Sequence, residues 1–290
     1  MDHALGGVLL HIGGGEPLMD FHGVKRLLSR LQGTRLKVEY LETNGSPLKT
    51  STLAKLRELK EVGLTCLLLS ISPFHNEFIP VRVIRQILGD IVSVLGTEGI
   101  FPWHPGFLPF LERVSTEETV PLERYVEAFS PSEIRYQLTS VMYIHPGGRG
   151  AELLARHLPL YPSEALLGHP CDRALGSPDH AHIDYEGNYL TGFCSGLRIG
   201  ERTGLDLERL FVDGIPLENY PLLDMLVNGG LKTLYGFALE SGYSPRPQGY
   251  VSPCHLCLDM RVHLYSGGPD FPELYPGFFY DELPRAPFCP

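Results

Sequence analysis

At 290 residues the chain is long enough for one large domain or two medium ones, each with its own core. Hydrophobic residues make up 43% and charged residues 20%, globular values that exclude wholesale disorder. The 34 acidic against 24 basic residues give a net charge of −10, which disfavours a nucleic-acid backbone as partner, and no apolar run is long enough to span a membrane. No basic segment leading into an apolar stretch opens the chain, so the expected location is cytoplasmic. There cysteines more often ligate metals or catalyse than form disulfides.

The first element is residues 8–17, VLLHIGGGEP. A short apolar run closed by three glycines predicts a buried strand whose C-terminal end opens into a tight loop, the end at which α/β sheets bind ligands. Gly13, Gly14 and Gly15 let backbone approach a ligand, Glu16 offers an acceptor to an ammonium, Pro17 fixes the exit and Asp20 can cap the next helix. An ordinary strand-to-helix turn is the competing reading. Phe21, Val24, Leu27, Leu28 and Leu31 follow at helical spacing, with Gly33 placed to end the helix. Residues 36–41 predict a strand that runs into ETNGS, and 50–62 a second helix. The run 64–72, LTCLLLSIS, predicts a strand covered on both faces. A helix over 81–95, a strand over 99–103, a helix over 121–129 and a strand over 136–144 complete the alternation, the last strand ending at HPGGRG. Such alternation implies a parallel sheet with right-handed crossovers, open or curved into a barrel.

After about residue 160 helical periodicity fades, and five of the six cysteines lie there. Cys66 sits in the apolar strand and reads as a core residue. Cys254 and Cys257 form a C-x2-C that can grip one metal or cluster edge. Cys171 and Cys194 bracket HIDYEGNYL, whose alternation around Glu186-Gly187-Asn188 predicts a hairpin that brings its flanks together. Four such thiols suit zinc or an iron–sulfur cluster, and the thiolate count does not choose. His180 and His182 would share one strand face, yet with no carboxylate set beside them they read as exposed or hydrogen-bonded; His75 and His104 read as structural. The last 25 residues hold six prolines and many aromatics, predicting an extended tail packed on a surface.

In order and spacing these motifs resemble the radical S-adenosylmethionine (radical SAM) superfamily, in its branch with a C-terminal SPASM or twitch auxiliary-cluster domain. The resemblance covers most of residues 5–262. It implies an α/β fold, an incomplete (β/α)6 partial TIM-like barrel over 1–162, a small cysteine-rich domain over 163–265 and a tail over 266–290. GGGEP is similar to the GGE motif that binds the methionine amino group of SAM, and the TNG of residues 43–45 to the motif ending the next strand. By resemblance the SAM-binding residues are Gly14, Gly15, Glu16, Pro17, Thr43, Asn44, Ser70, Ser72 and Arg149. Cys171, Cys194, Cys254 and Cys257 would hold an auxiliary [4Fe–4S] cluster, zinc being the alternative. The implied activity is reductive cleavage of SAM and modification of a substrate, of which a peptide or protein is the class the resemblance suggests, with a flavodoxin or ferredoxin as electron donor. The superfamily's CxxxCxxC loop is absent from the sequence, so no catalytic ligand is assigned, and a truncated reading frame is the expected cause. Two alternatives stand beside this reading: a non-catalytic metal-binding scaffold, and a hydrolase using His75, His180 and His182.

Overall fold

The computed structural model describes residues 9–141, 147–172, 175, 181–184, 186–191, 194–199, 214–267 and 270–283. The chain divides into two compact units, Met1–Tyr143 and Ile144–Pro290. No helix is long and apolar enough to cross a membrane among the described residues.

The first unit is mixed α/β. Strands β1 (Leu9–Ile12), β2 (Lys37–Thr43), β3 (Leu67–Ser70) and β4 (Ile100–Trp103) form one parallel sheet in the order β1-β2-β3-β4. Helices α1 (Phe21–Leu31), α2 (Thr52–Glu61), α3 (Pro73–Asn76) and α4 (Val81–Leu95) connect them. With neighbouring strands also consecutive in sequence, right-handed crossovers place the connecting helices on one face. On that face Leu41, Leu67 and Leu69 from the strands are buried together with Leu56, Leu59, Ile84, Ile87 and Ile91 from α2 and α4. All four residues of β3 are buried, which is why the sequence there is a continuous apolar run. The other face carries His11, Tyr40, Phe101 and Trp103, linked in a ring-to-ring series from the stacked His11–Tyr40 pair (5.2 Å) to the edge-on Phe101–Trp103 pair (5.5 Å).

Asp20 caps α1 by accepting from the Gly23 amide at 2.9 Å, and α4 spans the residues that its periodicity marks. Cys66 is half-buried just before β3 rather than deep in the core. After β4 come α5 (Leu108–Glu112), α6 (Leu122–Ala128) and α7 (Pro131–Tyr136). The strand expected over 136–144 is not formed in its described part: α7 continues into a π-helical turn at Gln137–Val141. The reason is local. Ser130 and Glu133 make a reciprocal capping box and Pro131 occupies the first turn, so a helix is nucleated six residues before the apolar stretch that reads as a strand. Residues 142–146, including the start of HPGGRG, lie outside the described part.

The second unit holds α8 (Gly148–Leu154), α9 (Ser163–Leu166), the antiparallel strands β5 (Ala181–Ile183), β6 (Tyr189–Thr191) and β7 (Arg198–Ile199), and helices α10 (Pro221–Asn228), α11 (Gly230–Glu240), α12 (Pro253–Gly267) and α13 (Gly277–Asp281). The expected hairpin is present: Ala181 pairs with Thr191 and Ile183 with Tyr189. Asp184 holds its turn by accepting from the amides of Glu186 (2.9 Å) and Asn188 (2.8 Å), and Gly187 takes a positive φ of 85°. The expectation that helices fade after residue 160 is overturned by α10, α11 and α12. Of these, α12 buries Leu256, Leu258, Met260, Arg261 and Leu264, which leaves no single apolar stripe to read. The C-terminal segment is likewise more than a surface tail, since Phe271, Leu274, Tyr280 and Leu283 join the core of this unit.

Candidate functional site

In the first unit the chemistry gathers at the C-terminal ends of the parallel strands. Gly14 and Gly15 have φ of 83° and 56°, a left-handed turn that L side chains rarely adopt. The turn aims Glu16 at the end of β2. Its Oε1 accepts from the Thr43 hydroxyl at 2.8 Å and from the Leu18 amide at 3.1 Å, while Oε2 accepts from the Asn44 amide at 2.7 Å. Thr43 Oγ1 accepts in turn from the Gly45 amide (3.0 Å), and Asn44 Oδ1 from the Ser46 amide (2.8 Å). The GGGEP and TNG motifs, 27 residues apart, are thus one hydrogen-bonded structure. A carboxylate offers about four acceptor positions, and among the described residues the chain fills three of them.

Glu42 was not singled out by the sequence. Its Oε1 accepts from Ser70 at 3.3 Å, and a Cβ at position 13 would stand 2.9 Å from its Oε2, so a side chain there would push the end of this second carboxylate aside. Ser72 caps α3, with its hydroxyl 2.8 Å from His75 Nδ1. Burial, assisted by His104, pushes the His75 pKa down to about 4, so the ring is neutral at physiological pH. His104 adopts φ 62° at the end of β4, and its buried Nδ1 has no hydrogen-bond partner among the described residues. The rim therefore presents two carboxylates, Ser70 and two imidazoles. Pro17 opens the 3-10 turn after Glu16; the backbone of Arg149 lies in α8 of the other unit.

In the second unit, Cys171, Cys194, Cys254 and Cys257 lie in one electrostatic neighbourhood. Burial first, and then charge on neighbouring cysteines including Cys257 and Cys254, raises the Cys171 and Cys194 thiols to about 12. Cys254 is raised by the same causes, burial first. Beside them Arg261 is buried in α12, its Nη1 donating to the Ser195 carbonyl (2.7 Å) and the Tyr280 hydroxyl (3.0 Å). The donor chemistry fits a soft metal or cluster: four thiols and a buried cation whose Nε has no partner among the described residues. Among the described residues no three His, Cys, Asp or Glu side chains already converge closely enough to hold a metal ion. His182 lies on β5 opposite Leu190. His180 and Cys289 lie outside the described residues.

A buried ionic network secures the C-x2-C helix. Arg246 donates to both Glu152 oxygens (2.6 and 3.0 Å) and to Asp259 Oδ1 (2.6 and 2.9 Å), and Tyr243 and Tyr250 donate to Asp259 Oδ2 (2.6 and 3.0 Å). Burial alone would raise the Glu152 pKa, but hydrogen bonding and charge from His255 and Arg246 hold it down at about 2. His255 Nε2 stands 3.4 Å from Glu152 Oε1, within ion-pair distance. Sequence reading missed this network because its members, spread from 152 to 259, have no local spacing to mark them.

No protein-family model matches the chain. A stretch of 63 residues is 38% identical to the uncharacterized protein MJ0804 of Methanocaldococcus jannaschii, a match over 22% of this chain. It covers 21% of that protein, so the chain matches about a fifth of the length of this curated relative.

Proposed function

We propose that this chain is a radical SAM-type protein, a fragment or degenerate member, in which the strand ends of the first unit orient SAM and the four cysteines of the second hold an auxiliary [4Fe–4S] cluster. The observation that carries the reading is the Glu16 carboxylate, bonded to Thr43 and to the Asn44 amide with one acceptor position left over among the described residues. That spare position suits the ammonium of an amino-acid moiety. The sequential parallel order, with an aromatic and polar face opposite the helices, supports an incomplete (β/α)6 barrel whose inner face is lined by Tyr40, Glu42, Ser70 and Trp103. An auxiliary cluster, when bound, would supply electron transfer or substrate attachment. Cys171, Cys194, Cys254 and Cys257 would ligate it. None of the six cysteines stands in CxxxCxxC spacing, so no SAM-cleaving step is assigned to these residues. In a complete system the substrate would be a peptide or protein, and the electron donor a flavodoxin or ferredoxin.

The test is SAM binding by calorimetry, on this chain and on a fusion that places a CxxxCxxC segment before it, after anaerobic cluster reconstitution. The fusion should bind SAM, and Glu16→Ala should weaken binding at least about tenfold, the loss of a charge-assisted hydrogen bond. A folded, reconstituted fusion that ignores SAM would contradict the reading. A second reading, a non-catalytic metal-binding scaffold, is favoured by the three chain donors already on Glu16. It predicts metal uptake at the cysteines without SAM binding by either protein.

A further inference from the structure

We propose that Arg261 is the charge-compensating residue of the four-cysteine centre, its Nε–H reserved for a ligating sulfur. The inference rests on the four-cysteine reading above and goes beyond it, since the resemblance assigns Arg261 no role. Cys254, Cys257 and Arg261 are spaced by three and four residues on α12, which puts them on one helix face. Arg261 is 5% exposed, and among the described residues no carboxylate pairs with it. Its hydrogen-bond acceptors are the Ser195 carbonyl and the Tyr280 hydroxyl, with the Cys257 thiol beside them, all neutral without a metal. Burial works against its charged form, and Tyr280, then Cys257 and Cys194, favour it. Burying a cation without a counter-charge is costly, and so is burying the doubly negative centre that four thiolates form around a divalent metal or a cluster core of the same charge. Each cost is reduced by the other. On loading, the four thiols release four protons to solvent, the metal takes their places, and Arg261 stays protonated throughout. The Nε–H, which has no partner among the described residues, then faces sulfur that carries negative charge only in the loaded state.

The probe is Co²⁺, which four thiols take up as they take Zn²⁺ and report through sulfur-to-metal charge-transfer absorbance. The full chain, Arg261→Gln and Arg261→Lys are titrated, with Zn²⁺ competition giving affinities. Arg261→Gln should weaken metal binding roughly 10–100-fold, the range for residues that support ligands, and Arg261→Lys should weaken it less. Equal affinities for all three proteins would overturn this inference alone. A full chain that takes up no Co²⁺ would overturn the four-cysteine reading, and this inference with it. Should Arg261→Gln fail to fold, the Nε–H resonance of Arg261 in the unaltered protein decides. It should shift and become protected from exchange when Cd²⁺ is added, and an unmoved resonance would overturn the proposal.

Discussion

The rim of the sheet shows how one residue does two jobs that the sequence cannot separate. Glu16 reads as a ligand acceptor, yet it is also the knot that ties the glycine turn to the end of β2. The same duality holds for Ser72, which by resemblance faces a ligand and in the structure caps α3 and contacts His75. His75 gives the residue scale its clearest prediction. An unfolded histidine titrates near 6.5, whereas burial and then His104 hold the folded one down at about 4. Between those values the unfolded chain binds the extra proton, so stability is fullest above pH 6.5 and is lost as pH falls toward 4. Urea unfolding of the first unit at pH 7.5 and at pH 5 should show that loss. His75→Gln, which can still meet Ser72, should flatten it by on the order of 1–2 kcal/mol. An unchanged slope in the variant would remove His75 as its source.

Among the elements, those with a regular apolar pattern in the first unit were legible from sequence, and α12, buried on several sides, was not. α1 and α4 carry apolar stripes at helical spacing, and β3 an unbroken apolar run, so their positions follow from periodicity. The hairpin β5–β6 was legible through its turn chemistry, Asp184 and Gly187. Residues 136–141 misled because apolar Ile134, Leu138 and Val141 suit either element, and the capping box upstream settles the matter as helix. α12 was hidden by its surroundings: a helix carrying cysteines, His255 and a buried arginine lacks an apolar stripe. What holds it is the Arg246 network, whose bonds to Glu152 and Asp259 fasten α12 to α8. Removing the arginine leaves two carboxylates facing each other in a largely buried site. Arg246→Ala should therefore cost about 3–5 kcal/mol of stability, read from denaturant unfolding of the second unit. A cost below about 1 kcal/mol would mean that solvent already screens the network.

For the molecule as a whole, two kinds of chemistry fall in two compact units: carboxylates and imidazoles at strand ends in one, thiols with a buried cation in the other. The candidate thiols were legible because cysteines are few and their spacings stand out. Arg261, Glu42 and Glu152 were not, since nothing local distinguishes a buried charged residue from the many exposed ones. The two units carry separable claims, and the cysteine centre is the one that a single preparation can decide. Anaerobic expression followed by iron, sulfide and zinc analysis should find about four iron and four sulfide per chain, lost in a Cys254→Ala/Cys257→Ala variant and kept in Cys66→Ala. One zinc without sulfide would contradict the cluster, and a folded, metal-free protein under the same conditions would contradict the centre itself.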